Sequence, residues 1–254
     1  MFQYSVNQNH LQEYSFDHLV IIGRDKLHAL SQKFSTQGFQ LTPIAHHNLG
    51  SINQLIMLDS AYIELLGWEP DKPVQRVEIA NQSLGLNALV FRTDDAQKTF
   101  EQLSRMGFSV NPVQDLSRES EFLGKSVLVQ FKAVRFSKQP LPGIRIYFCE
   151  HLTPQYVWQN KWLKHSNQLS RLQKITITSP DIEDSKKVLS RLLNLSEEHI
   201  ISEEESIQLI LPNIELNIQK TPHFNEAQIL SVQICKTSLD PVDFSIDSHF
   251  FQNL

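Results

Sequence analysis

Cysteine is scarce: two residues in a chain of 254, too few for a disulfide framework. Cys149 and Cys235 each end an apolar, strand-like run, where a reduced thiol behaves as a small hydrophobic side chain. Long apolar runs are missing too. Nothing approaches the roughly 18 residues that a membrane-spanning helix requires. Met1 to Ser15 is rich in Gln, Asn and Tyr and lacks the apolar centre of a signal peptide. Several chemistry-bearing patterns are absent: a phosphate-binding loop, a dinucleotide-type glycine pattern, a Gly-x-Ser-x-Gly elbow and a Cys-x-x-Cys pair. Positive charge does not predominate either. The 23 Lys and Arg residues face 28 Asp and Glu, for a net charge of -5 and a sequence pI of about 6.1, which removes the electrostatic case for nucleic acid or an anionic membrane. With 41% hydrophobic and 20% charged residues, the expectation is a cytoplasmic globular protein. Its expected partner is a small-molecule ligand, with a homodimer left open.

What is present is internal repetition. Asp17 to Ile22 reads as a strand, Asp25 as a helix cap, and Leu27, Leu30 and Phe34 as an apolar helix stripe. Gly38 then ends the helix and Phe39 opens the next strand. The same grammar returns at Leu86 to Phe91, Asp94, Phe100 and Leu103, and Gly107-Phe108. Asp25, Gly38, Phe39 and Pro43 all recur 69 residues later as Asp94, Gly107, Phe108 and Pro112. A weaker third copy starts near Leu172, with Asp181 as cap, Val188, Leu189 and Leu192 along the helix, and Asn194-Leu195 as terminator.

Short extended segments follow each helix. They are 39–44, 53–58 and 61–66 in the first copy, 108–113, 126–136 and 144–150 in the second, and 199–202, 207–211 and 214–218 in the third, with a last strand at 229–235. The reading is an α+β protein of β-α-β-β-β modules. Two modules, 16–67 and 86–151, pair into one domain with a curved-sheet cleft between them. Residues 152–170 form a bridge and 171–236 a third module, too small to bury a good core alone. Residues 69–84, with two prolines, read as a linker. Tyr156, Trp158 and Trp162 in the bridge are read as packing residues, and His165 and Asn167 as a structural turn.

Several local motifs carry a resemblance: Phe16-Asp17-His18-Leu19-Val20, His46-x3-Gly50-Ser51-x-Asn53, Tyr62-Ile63-Glu64-Leu65, and Thr153-Pro154-x3-Trp158-x3-Trp162-x2-His165-x-Asn167. In their order and spacing they resemble the glyoxalase-like proteins of the vicinal oxygen chelate superfamily. That resemblance implies a small-molecule site in the cleft between paired modules, often with a divalent metal. It also implies that Glu64, on the last strand of its module, is a metal ligand.

The residues themselves add to this. A carboxylate in the apolar run Tyr62 to Leu66 is costly to bury without a cation, a donor or a wet cleft. His18 begins an aliphatic strand of the same module, and a histidine–carboxylate pair suits Zn, Ni, Mn or Fe. The second module offers Asn87 at the position of His18, a residue suited to hydrogen bonding substrate rather than to ligating a transition metal. Its counterpart to Glu64 is open: strand alternation puts Phe148 and Glu150, or Cys149 and His151, on one face. Glu150 is the candidate ligand there. His46 and His47 lie on a loop beside the cleft, where His46 is the candidate general base with Glu64, and His47 a substrate clamp. Asn53 orients the loop or contacts substrate. Two functions result. One is a metal-dependent enzyme of isomerase, lyase or dioxygenase type that stabilises an enolate or oxyanion. The other is a metal-free protein that binds or sequesters a small molecule.

Overall fold

Strand β1 (Phe16–Arg24) is buried from Phe16 to Gly23, as its unbroken aliphatic run requires of a strand covered on both faces. In the computed structural model, which describes residues 14–47, 50–72, 77–236, 244–252 and 254, this strand lies near the middle of an eight-stranded sheet. The first module continues with α1 (Leu27–Thr36), β2 (Ala45–His46), β3 (Ile52–Met57) and β4 (Tyr62–Gly67). After the short helix α2 (Val77–Ala80), the second module runs β5 (Gly85–Arg92), α3 (Ala96–Arg105), β6 (Gln114–Phe122), β7 (Lys125–Arg135) and β8 (Arg145–His151). β1 and β5, like α1 and α3, begin 69 residues apart, the offset of the sequence repeat. The protein is thus α+β, as the sequence predicts.

The sheet order is β2-β3-β4-β1-β5-β8-β7-β6, and β1 joins the modules by pairing parallel to β4 and antiparallel to β5. The sheet curls until its edges meet, through an antiparallel bridge between His47 and Arg118. Strand alternation then sorts the side chains. Leu19, Ile21, Ile63, Leu89 and Phe148 face the helices, while Val20, Leu66, Ala88, Val90 and Cys149 line the concave side.

The third module comprises β9 (Arg171–Ser179), α4 (Ile182–Leu193), β10 (Ile200–Ser202), β11 (Ser206–Ile210) and β12 (Glu215–Lys220), extended by β13 (Gln228–Cys235) and β14 (Phe244–Asp247). They form a second sheet in which β13 runs antiparallel to β9 just as β5 does to β1. Ile175, Ile177, Leu189 and Leu216 join Ile21, Phe34 and Leu89 in one apolar cluster. Asn213 ties the sheets by accepting from Phe16 N–H at 2.9 Å and donating to the Phe16 carbonyl at 2.8 Å.

Several local expectations change. The N-caps are Lys26, without a side-chain bond, and Asp95, which accepts from Lys98 N–H; only Asp181 caps where expected, accepting from Asp184 N–H. Gly38 and Gly107 do end their helices at φ of 85° and 83°, and Asn194 sits at 56°, the left-handed terminators the pattern calls for. Segments 39–44 and 108–113 are largely irregular. The second module's hairpin instead begins at Gln114, in a polar stretch that carries no apolar run.

Candidate functional site

The concave face encloses a hollow of about 70 Å³, with His18, Glu64, Asn53, Tyr62, Tyr147 and Arg118 in its wall. His18 is 3% exposed and Glu64 9%. β1 and β4 pair in register, Val20 opposite Glu64, so both side chains rise from the same side of the sheet. His18 Nε2 lies 3.6 Å from Glu64 Oε2 and 3.3 Å from the Tyr147 hydroxyl. The imidazole also stacks on Tyr62, with ring centroids 4.4 Å apart. Asn53 Nδ2 donates to Glu64 Oε1 at 2.7 Å, which fixes the carboxylate and points its second oxygen at His18.

Asp17 reaches the same interior although it is next to His18 in sequence. Between Phe16 and His18 the register with β5 slips by one residue, a β-bulge that lets two consecutive side chains share a face. Asp17 is fully buried. It accepts from His18 Nδ1 at 2.7 Å, from His151 Nε2 at 2.9 Å and from Arg92 Nε at 2.8 Å. Burial alone would raise its pKa, but His151 and then His18 outweigh that and hold it well below the ordinary carboxylate range. Ionised Asp17 has only acceptors to offer. The proton of His18 on that side therefore sits on Nδ1, and Nε2 turns toward Glu64 and Tyr147. This is the carboxylate–histidine arrangement that orients metal-binding imidazoles.

Burial holds three further groups of the wall, Tyr62, Tyr147 and Cys149, toward their protonated forms. Burial raises Tyr62 well above its ordinary value, and Asp17 adds to that; burial raises Tyr147 as well, with Glu64 adding to it. Cys149 is pushed well up by burial and then by Asp17 and Glu64.

The predicted residues divide. His18, Glu64, Asn53 and His47 all line the hollow. His46 does not: alternation turns Ala45 inward and His46 outward, where its exposed ring lies 3.7 Å from Glu69. Asn87 is also elsewhere. It donates to Gln82 at 2.8 Å and accepts from Arg145 at 2.6 Å, in a stretch of β5 where the register with β1 shifts again. Glu150 is on the opposite face of β8, accepting from Ala96 N–H at the start of α3 at 2.8 Å. Of the two faces left open in β8, the one carrying Cys149 and His151 looks inward. With Asp17 they bring ligand atoms within 4.8 Å of one another, a group that could hold a metal ion.

Sequence reasoning missed Asp17, Arg118 and Tyr147. The bulge hides Asp17, because plain alternation would turn it away from His18. Arg118 lies in a polar segment that gives no strand signal, though Leu116-x-Arg118-x-Ser120 alternates along the inward face.

The donor chemistry fits a divalent ion held by two residues, His18 Nε2 and Glu64 Oε2, and completed by water or substrate. It does not fit a symmetrical four-residue set, since Asn87 and Glu150 are engaged elsewhere. The alternative group around Asp17 is less suited to a cation, because Arg92 and His18 already bond that carboxylate.

No helix among the described residues is long and apolar enough to cross a membrane. No curated protein matches the chain. Among solved structures it is similar to a hypothetical protein from Staphylococcus aureus, at 16% identity and a TM-score of 0.69, over 87% of this chain and 90% of that one. It is also similar to a xylose isomerase-like TIM barrel/4-hydroxyphenylpyruvate dioxygenase fusion protein, at 14% identity and a TM-score of 0.53, over 88% of this chain but 37% of that one. At such identities the likeness concerns the fold. Residues 16–193, well over half the chain, match the sequence profile of the glyoxalase-like domain. With its paired modules, closed curved sheet and histidine–glutamate pair at the centre, the chain belongs to the glyoxalase-like domain family.

Proposed function

We propose that the hollow is the active site of a small-molecule enzyme in which His18 and Glu64 hold a divalent metal ion, with Zn, Ni, Mn or Fe all compatible with an imidazole–carboxylate pair. One observation carries the reading: His18 Nε2 and Glu64 Oε2, both buried, lie side by side on the wall of the hollow, 3.6 Å apart. A bound ion would act as a Lewis acid toward substrate oxygens and favour an enolate or oxyanion, the basis of isomerase, lyase or dioxygenase chemistry.

The chain's own groups prepare that site. Asp17 fixes the tautomer of His18, and Asn53 holds Glu64 at one oxygen. The Tyr147 hydroxyl, kept protonated by burial, is a donor for developing negative charge. His47 lines the hollow and is placed to carry the proton that such a reaction moves. Burial of Tyr62 and Leu55 on the walls excludes water and strengthens each of these interactions.

A second reading, a metal-free protein that binds a small molecule, is favoured by the diversion of Asn87 and Glu150 away from the hollow. Elemental analysis of protein purified without chelator separates the two. The enzyme reading expects near-stoichiometric metal in the native chain, lost in His18→Ala and in Glu64→Ala but retained in Cys149→Ser. Metal retained in Glu64→Ala but lost in Cys149→Ser would move the ion to the Asp17, Cys149 and His151 group. A native protein without metal leaves the binding reading.

A further inference from the structure

Arg118 is the one arginine on β6, and the residue is 8% exposed. It stands where the two modules close, bridged through its backbone to His47, and it lines both the hollow and a wider outer groove. Its guanidinium lies 6.0 Å from the centre of the Phe131 ring. Among the described residues no carboxylate is in contact with it; Glu64 and Tyr62 act on it only through longer-range electrostatics. Burial pulls its pKa down from the ordinary arginine value, the mark of a cation short of solvent. An arginine removed from water needs a counter-charge and partners for its planar fork of donors.

The charges around the hollow are unbalanced in the same sense. Two arginines, Arg118 and Arg135, line it against one lining carboxylate, Glu64; buried Asp17 behind the wall is already bonded by Arg92, His18 and His151. Arg135 donates to Gln114 through Nη1, yet its buried Nε has no acceptor among the described residues. Leu55, Leu66 and Phe131 complete the wall with apolar surface.

From this charge and shape we infer that the site takes a small organic monocarboxylate, its carboxylate gripped by Arg118 and its apolar body lying between Leu55, Leu66 and Phe131. The inference deepens the proposed active site, since the body of the acid would then lie toward His18 and Glu64. At roughly 10–15 Å³ per water-sized group, a hollow of about 70 Å³ has room for an acid of a few heavy atoms, and a longer tail would pass Arg118 into the outer groove.

The test is a titration of the full chain, followed by NMR, with acetate, propionate and isobutyrate and with the matching uncharged amides. Native protein should bind at least one acid about tenfold or more tightly than its amide. Arg118→Gln should lose that preference and bind the acid about tenfold more weakly. Arg118→Lys should bind it with intermediate affinity, because it keeps the charge but not the two-pronged geometry. Thermal melting shows whether either variant has folded. Equal binding of acid and amide, no binding of any of the acids, or undiminished binding in a folded Arg118→Gln would each overturn the inference. Metal analysis remains an independent readout. Acid preference in a metal-free protein would sink the metal-dependent enzyme and keep this inference, while metal held by His18 and Glu64 without acid preference would do the reverse.

Discussion

Glu150 shows how much one step of strand alternation decides. On β8 the side chains of Tyr147 and Cys149 enter the concave side, so Glu150 between Cys149 and His151 must face the helices. There its carboxylate accepts from Ala96 N–H and meets the positive end of α3. Glu150→Ala should lower unfolding stability by about 1–2 kcal/mol while leaving metal content unchanged. Denaturant melts and elemental analysis of one preparation check both halves, and loss of metal would return Glu150 to the ligand set. The sequence was legible for His18 and Glu64 because a polar residue inside an apolar strand must be satisfied somewhere, and a cleft between modules is the place. It was not legible for Asp17, whose inward turn depends on a bulge that no residue pattern announces. Asn87 kept its repeat position, yet Gln82 and Arg145 lie closer to its amide than the hollow does.

Elements were legible where apolar periodicity was strong. β1, β5, β9 and the three main helices all appear near their expected places, since their stripes bury one face against a shared core. The β6–β7 hairpin was half missed because Gln114 to Phe122 is mostly polar: its strand character comes from pairing with β7 and from closing the sheet at His47. Its two-residue turn carries a related cost. Leu123 and Gly124 sit at φ of 52° and 73°, a pair of positive angles that suits Asn-Gly far better than Leu-Gly. Leu123 is 82% exposed, so its side chain contributes little packing to offset the left-handed backbone. Leu123→Asn should therefore raise stability by about 0.5–1 kcal/mol. An unchanged or lower urea midpoint, at the same m-value, would show that the leucine has a contact beyond this fold.

At the scale of the whole molecule, the bridge 152–170 welds the modules, and His165 is its fixed point. Gln40 N–H donates to His165 Nδ1 at 2.9 Å, so that nitrogen must carry a lone pair, and His165 Nε2 donates to the Met57 carbonyl at 2.8 Å. Only the neutral ring can make both bonds. Burial lowers its pKa below the ordinary histidine value, with the Met57 bond and Asp59 opposing that in part. A histidine with a lower pKa folded than unfolded binds fewer protons in the native state, so its contribution is complete above about pH 6.5 and is lost as pH falls from there toward the folded value. Ser166 and Asn167, next in the chain, bond the carbonyls of Gly38 and Gln37, and one apolar cluster spans both sheets. Loosening the bridge should thus register in global unfolding rather than in a local fray. Melting temperature should drop between pH 6.5 and 5.5 more steeply in the native chain than in His165→Gln, which begins less stable but has no ring to protonate. Parallel pH profiles for the two proteins would mean that the acid sensitivity lies elsewhere, with Asp17 and its two histidines the next group to vary.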